Sequence, residues 1–162
     1  MFKNKYEQIV FSLIMSYAMA IGMEIYNTSL KMGYYNLSLI DNFVLFSALK
    51  EALFMGLVVY LVSTFIGNPL GGKLASKYFN YKQDNAYTCR LARQFFTVNI
   101  MCPLMSLIAT ILFNIILGGL PITNIFICFI GTFLKNIPIA FCWNFFVAAP
   151  FTHWLFRTIY KH

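Results

Sequence analysis

Four ionisable residues sit within or beside long apolar runs, where a charge is expensive: Glu24, Lys50, Glu51 and Lys135. Insertion scales put the cost of a charge deep in a membrane-spanning helix at ~2.5–3.5 kcal/mol, so each needs a compensating partner or a task. A carboxyl such as Glu24 in a low-dielectric cavity can give up a proton and take a cation, the chemistry of drug/proton antiport. The bland reading of the same residue is a permanent pair with lysine that holds helices together. Lys50-Glu51 reads as an outer-interface pair whose lysine snorkels.

Spacing narrows the candidates. Ser12, Ser16, Ala20 and Glu24 recur every four residues, a small and polar stripe that lets membrane helices approach closely. Cys102, Ser106, Thr110 and Asn114 repeat that stripe 90 residues later, which makes Asn114 the counterpart of Glu24. At the helical rise, Glu24 stands about 24 Å from Gln8, and Lys135 about 22 Å from Pro150, so both fall in one layer. The candidate binding set is therefore Glu24, Asn114, Lys135, Asn136 and Asn144, with Glu51 at its edge. It is expected in the outer half of the membrane, between two repeats.

Positioning that layer requires four spans, drawn at 9–26, 49–68, 95–115 and 125–149, each near the ~20 apolar residues that cross a hydrocarbon core. Composition agrees: the chain is 60% hydrophobic and 10% charged, far from the soluble norm of about 25% charged. Lys3, Lys5, Lys73, Lys77, Lys82, Arg90, Arg93, Arg157 and Lys161 lie at the two termini and the central loop. The other two loops hold only Lys31. That bias places both termini in the cytoplasm. The fold expected is an all-α integral membrane protein whose four transmembrane helices are two tandem parallel two-helix repeats, residues 1–85 and 86–162. A slide of 90 residues aligns Met15-Ser16 with Met105-Ser106, and one of 81 aligns the Pro69 end of one span with the Pro150 end of another. Those prolines are read as closing the second and fourth spans. Basic amphipathic stretches at 73–82 and 153–161 then lie along the inner leaflet. Pro103 and Pro138 fall inside the third and fourth spans.

Several classes are set aside. The formal charge of +7 belongs to the span ends rather than to a face that reads nucleic acid. Lys3, Lys5 and the run ending in Ala18-Met19-Ala20 imitate a cleavable leader, but the segment stays apolar past Ala20 and its counterpart is internal. Cys89, Cys102, Cys128 and Cys142 show no paired spacing, and Met15, Met19 and Met23 read as packing, so no metal or other cofactor is expected. No catalytic constellation is present in the sequence, and no enzyme activity is expected.

Met105-Ser106-Leu107-Ile108-Ala109-Thr110, the Gly118-Gly119 turn, and Ile139-Ala140-Phe141 leading into Val147-Ala148-Ala149-Pro150 resemble a bacterial membrane family, domain of unknown function 2798. Met15-Ser16 and Asn68-Pro69-Leu70 look like a more diverged first copy. The resemblance implies a two-helix unit that dimerises, here fused in tandem, and carries no activity with it. A looser likeness is to the proteobacterial antimicrobial compound efflux family, through a first-span carboxylate and Trp143-Asn144, although no Arg-x-x-His helix start is present. The expected function is a multi-pass protein of the bacterial cell membrane that exports amphipathic or cationic small molecules. The alternative is a non-transporting accessory, immunity or lipid-binding scaffold protein. Expected partners are membrane lipids, a small-molecule substrate and a second copy of the chain.

Overall fold

A computed structural model describes residues 5–33, 41–80, 85–116, 118–119 and 121–160. Lys3, Lys82 and Lys161 of the charge pattern lie outside the described residues, and so do the side chains of Ala86, Tyr87 and Asn114. Every regular element among the described residues is helical. The helices are α1 (Lys5–Lys31), α2 (Asn42–Val62), α3 (Asn68–Tyr78), α4 (Ala86–Ala109), α5 (Ile125–Trp143) and α6 (Ala149–Tyr160). Four continuous helical stretches are long and apolar enough to cross a membrane: Lys5–Lys31, Asn42–Tyr78, Thr88–Phe113 and Ile122–Tyr160. The chain is a small multi-pass membrane protein.

These stretches overrun the spans expected from hydropathy, for local reasons. Glu7 in the first turn and Lys31 in the last complement the dipole of α1, which continues past Asn27 to Lys31. It stops where Gly33 takes φ +77°, with the Met32 amide donating to the Thr28 carbonyl at 3.0 Å. Pro69 and Pro150 do not close their helices. Each is preceded by a π-helical turn, Ser63–Gly67 and Asn144–Ala148, after which the helix resumes as α3 or α6. In these turns the Asn68 amide donates to the Ser63 carbonyl, and the Ala149 amide to the Asn144 carbonyl, five residues back. A proline ring collides with the carbonyl four residues before it, here Phe65 or Phe146, and both lie inside the widened turn. The two π turns stand 81 residues apart, the offset at which the sequence aligns with itself. A third π turn, Thr110–Ile116, follows α4.

The helices group into two compact units, and neither is one half of the sequence. The first contains residues up to Leu61 together with Cys142–His162, and the second contains Val62–Phe141. In the first unit α1 packs against α6 and the π turn that leads into it. Phe11 meets His153 at 5.1 Å and Phe156 edge-on at 5.5 Å. Trp143 lies over Gly22 and donates its indole N–H to the Ala18 carbonyl at 2.8 Å. Thr152 and Asn144 donate to the sulfurs of Met15 and Met19, so these methionines serve helix packing. Tyr17 rests on Gly56 of α2.

In the second unit α3 and the π turn before it pack against α4. Gly67 and Gly71, four residues apart, face Met101 and Thr97, and Ala75 one turn further on is buried. Tyr78 stacks on Phe96 at 5.7 Å, and Phe95 meets Phe141 at 5.4 Å. A methyl group at Gly71 would run into Thr97 Oγ1 and stand 3.0 Å from both the Thr97 Cα and its amide nitrogen, which are backbone and cannot rotate away. Gly131 has open space around it. Gly71→Ala is therefore expected to cost about 1–3 kcal/mol of stability by overpacking, while Gly131→Ala leaves the melting temperature in detergent unchanged or raises it.

Candidate functional site

The first unit holds the arrangement with the most chemistry. The stripe on α1 is buried as its spacing requires: Ser16, Ala20 and Glu24 are all shielded, and Thr28 extends it by one more turn. Glu24 is 4% exposed, yet its Oε2 has no hydrogen-bond partner among the described residues. Thr28 is 1% exposed, and its hydroxyl oxygen is likewise unpartnered among them. A buried polar atom left without a bond carries a desolvation cost of about 1–3 kcal/mol, more when charged. Two such oxygens one turn apart are therefore a feature that needs an occupant or a proton.

Two ionisable groups approach Glu24. The Glu51 carboxyl, on α2, lies within hydrogen-bonding reach of it, and the Lys31 ammonium, seven residues further along α1, is within electrostatic reach. Lys31 Nζ stands 3.2 Å from Glu51 Oε2. Exposure grades inward, with 43% of the Lys31 side chain and 27% of the Glu51 side chain open, against an almost closed Glu24. Two carboxyls thus share one ammonium, and the deeper of the two has a free oxygen. Such a cluster can hold a proton, an inorganic cation or the charged end of an organic amine.

The sequence-derived candidates are distributed between the two units. Glu24 and Asn144 belong to the first; Asn114, Lys135 and Asn136 belong to the second. Asn144 opens a π turn, is buried, and donates to Met19, leaving its Oδ1 unpartnered among the described residues. Asn136 is buried with its Oδ1 in the same state, whereas Lys135 beside it is exposed. Asn114 lies on the π turn Thr110–Ile116, and its side chain is outside the described residues. The cation at Glu24 within its own unit is Lys31, and Lys50, one residue before Glu51, is exposed. Sequence reasoning missed Lys31 and Thr28 because both lie beyond the point where the apolar run ends. The signal was present: Glu24, Thr28 and Lys31 follow the four- and three-residue steps of one helix face.

This geometry separates a structural from a functional carboxylate. Glu24→Gln keeps the side-chain shape and removes the charge, and Glu24 contributes an unpartnered oxygen rather than a closed ion pair. The variant is expected to melt within about 1 kcal/mol of the wild type. A loss of about 3–5 kcal/mol, the cost of breaking a buried ion pair, would identify Glu24 as a structural partner instead.

Comparison with known proteins places one part of the chain. No curated protein and no solved structure matches it. A family model does, over residues 4–79, and the family it describes is a domain of unknown function, DUF2798. That segment contains α1, α2, α3 and the π turn between the last two, and so every residue of the Glu24, Thr28, Lys31 and Glu51 cluster. Residues 4–79, just under half of the chain, are similar to the DUF2798 family and include the buried carboxylate of Glu24.

Proposed function

We propose that the protein is a small transporter of cationic amphipathic molecules in which Glu24 is the binding and coupling group. The observation that carries the reading is the charge balance at the cluster: two carboxyls, one ammonium, and a buried carboxyl oxygen with no partner among the described residues. A hydrogen bond between two carboxyls needs a proton on one of them. An arriving cation supplies the missing positive charge and allows that proton to leave, so one site binds either a proton or substrate but not both. Lys31 and Glu51, partly exposed, form the entrance, and the Lys31 ammonium is a tethered competitor for the incoming cation. The reading assigns no catalytic step and no cofactor.

The proposal extends to the whole chain. Two parallel repeats with both termini in the cytoplasm of a bacterial cell are supported by the basic residues at the span ends and by π turns at the repeat offset. A homodimer would give such short repeats a thicker wall around a pathway. The competing reading, a membrane scaffold with no transported substrate, draws on the Lys31–Glu51 pair, which already neutralises one carboxyl.

Binding of tetraphenylphosphonium to protein in nanodiscs decides between them. Wild type is expected to bind it. Glu24→Gln should weaken binding at least tenfold, about 1.4 kcal/mol. Lys31→Gln should leave affinity unchanged or raise it, because the internal competitor is gone. Equal affinity in wild type and Glu24→Gln, or weaker binding in Lys31→Gln, would reject Glu24 as the cation site.

A further inference from the structure

The second unit carries a different charge pattern, and it points to a different ligand. Lys73 and Lys77 stand one turn apart on α3, and Arg90 and Arg93 stand three residues apart on α4; all four are exposed. The close approach of Gly71 to Thr97 and the stacking of Tyr78 on Phe96 hold the two helices side by side, and the Arg93 guanidinium reaches α3 beside Gly72, one residue from Lys73. Among the described residues of this unit there is no aspartate or glutamate, and none of the four cations forms an ion pair with a described residue. Like charges gathered without a counter-charge repel one another, and an anion between them relieves the repulsion.

The neighbouring surface says what kind of anion. Leu70, Leu74 and Tyr78 recur every four residues on α3 and are exposed. At 100° per residue this apolar stripe lies immediately beside Lys73 and Lys77 around the helix. On the other flank, the Arg93 Nε stands 3.8 Å from the point where a side chain at Gly72 would begin. The guanidinium therefore lies beside bare helix backbone, with room for a polar group next to it. A basic stripe running along an apolar one matches a phosphate beside an acyl chain. A nucleic acid would satisfy the cations and leave the leucines in water. A zwitterionic headgroup would bring its own cation against four others.

We infer that the α3–α4 surface is a binding site for an anionic phospholipid, with Lys73, Lys77, Arg90 and Arg93 holding the headgroup phosphate and Leu70, Leu74 and Tyr78 lying along the acyl chain. This site is separate from the Glu24 cluster and does not depend on the transport reading.

The test titrates purified protein in neutral detergent with phosphatidylglycerol, phosphatidylcholine or inorganic phosphate and follows the melting temperature. Phosphatidylglycerol is expected to stabilise the wild type, and the other two are not. One basic residue near an anionic lipid surface is worth about fivefold in affinity. Lys73→Gln/Lys77→Gln should therefore need at least tenfold more phosphatidylglycerol for half the effect, and the quadruple variant that adds Arg90→Gln/Arg93→Gln at least a hundredfold. Arg157→Gln/Lys161→Gln removes the same charge as the first pair elsewhere and should change the requirement less than twofold. Helical content by circular dichroism verifies folding, and the double variant keeps the test decisive should the quadruple one fold poorly. The inference is overturned by an unchanged response in the double variant or by an equal loss in the Arg157/Lys161 control. It is overturned as well by equal stabilisation from inorganic phosphate, or by a larger effect from a single-stranded oligonucleotide than from phosphatidylglycerol.

Discussion

Hydrocarbon offers no water to bond a stray backbone amide or carbonyl, and that constraint organises the whole chain. It requires each crossing segment to be helical from end to end, yet the sequence places a proline inside or near the end of three of them: Pro69, Pro103, and both Pro138 and Pro150 in the last. The helices run on through all four prolines. At Pro69 and Pro150 the means is visible, since a turn widened by one residue makes room for the ring while the amides on either side keep internal acceptors. The result is two helices of 37 and 39 residues. Their ends, α3 and α6, are then long enough to reach a neighbour and pack.

What they pack against is the second consequence. In each unit the tail of a long helix lies on a helix from the other half of the sequence: α6 on α1, and α3 on α4. Lipid tails are as apolar as leucine, so association must come from close fit and from hydrogen bonds rather than from burial alone. Both pairs show that economy. Gly67 and Gly71 bring the backbone of α3 against Thr97, and in the other unit Gly22 makes room for the Trp143 indole, whose N–H finds the Ala18 carbonyl. Glycine is used here for what it lacks.

The same scarcity of polar partners gives the Glu24 cluster its interest. Elsewhere in the buried stripes the polar groups are small, and several bond back to their own helix, as Thr110 does to the Ser106 carbonyl. Glu24 cannot be accommodated in that way: its carboxyl is too long and too polar. It lies instead against a second acid and a lysine that is already engaged. The positive residues of α3 and α4 are the converse case, cations near the end of a span with no acid among the described residues around them. In both units the exception is a set of like charges without a full complement of counter-charge among the described residues.

Much of this was legible from residue order, and the division follows the range of the forces involved. The sequence by itself determined the number of spans, the buried faces of α1 and α4, and with them the burial of Glu24, because apolar run length and four-residue periodicity are local properties. It misjudged the helix ends at Asn27, Pro69 and Pro150, where a glycine turn two residues beyond the end of α1 or a π turn before proline outweighs the hydropathy signal. It put Glu51 at the edge of the Glu24 set but did not reveal that Lys31 joins them, that Trp143 rests on Gly22, or that α6 pairs with α1 and α3 with α4. Those contacts join residues distant in the chain, and their choice depends on shape and charge complementarity between whole helix faces. Periodicity reports which face is buried, but only the folded arrangement decides what that face touches.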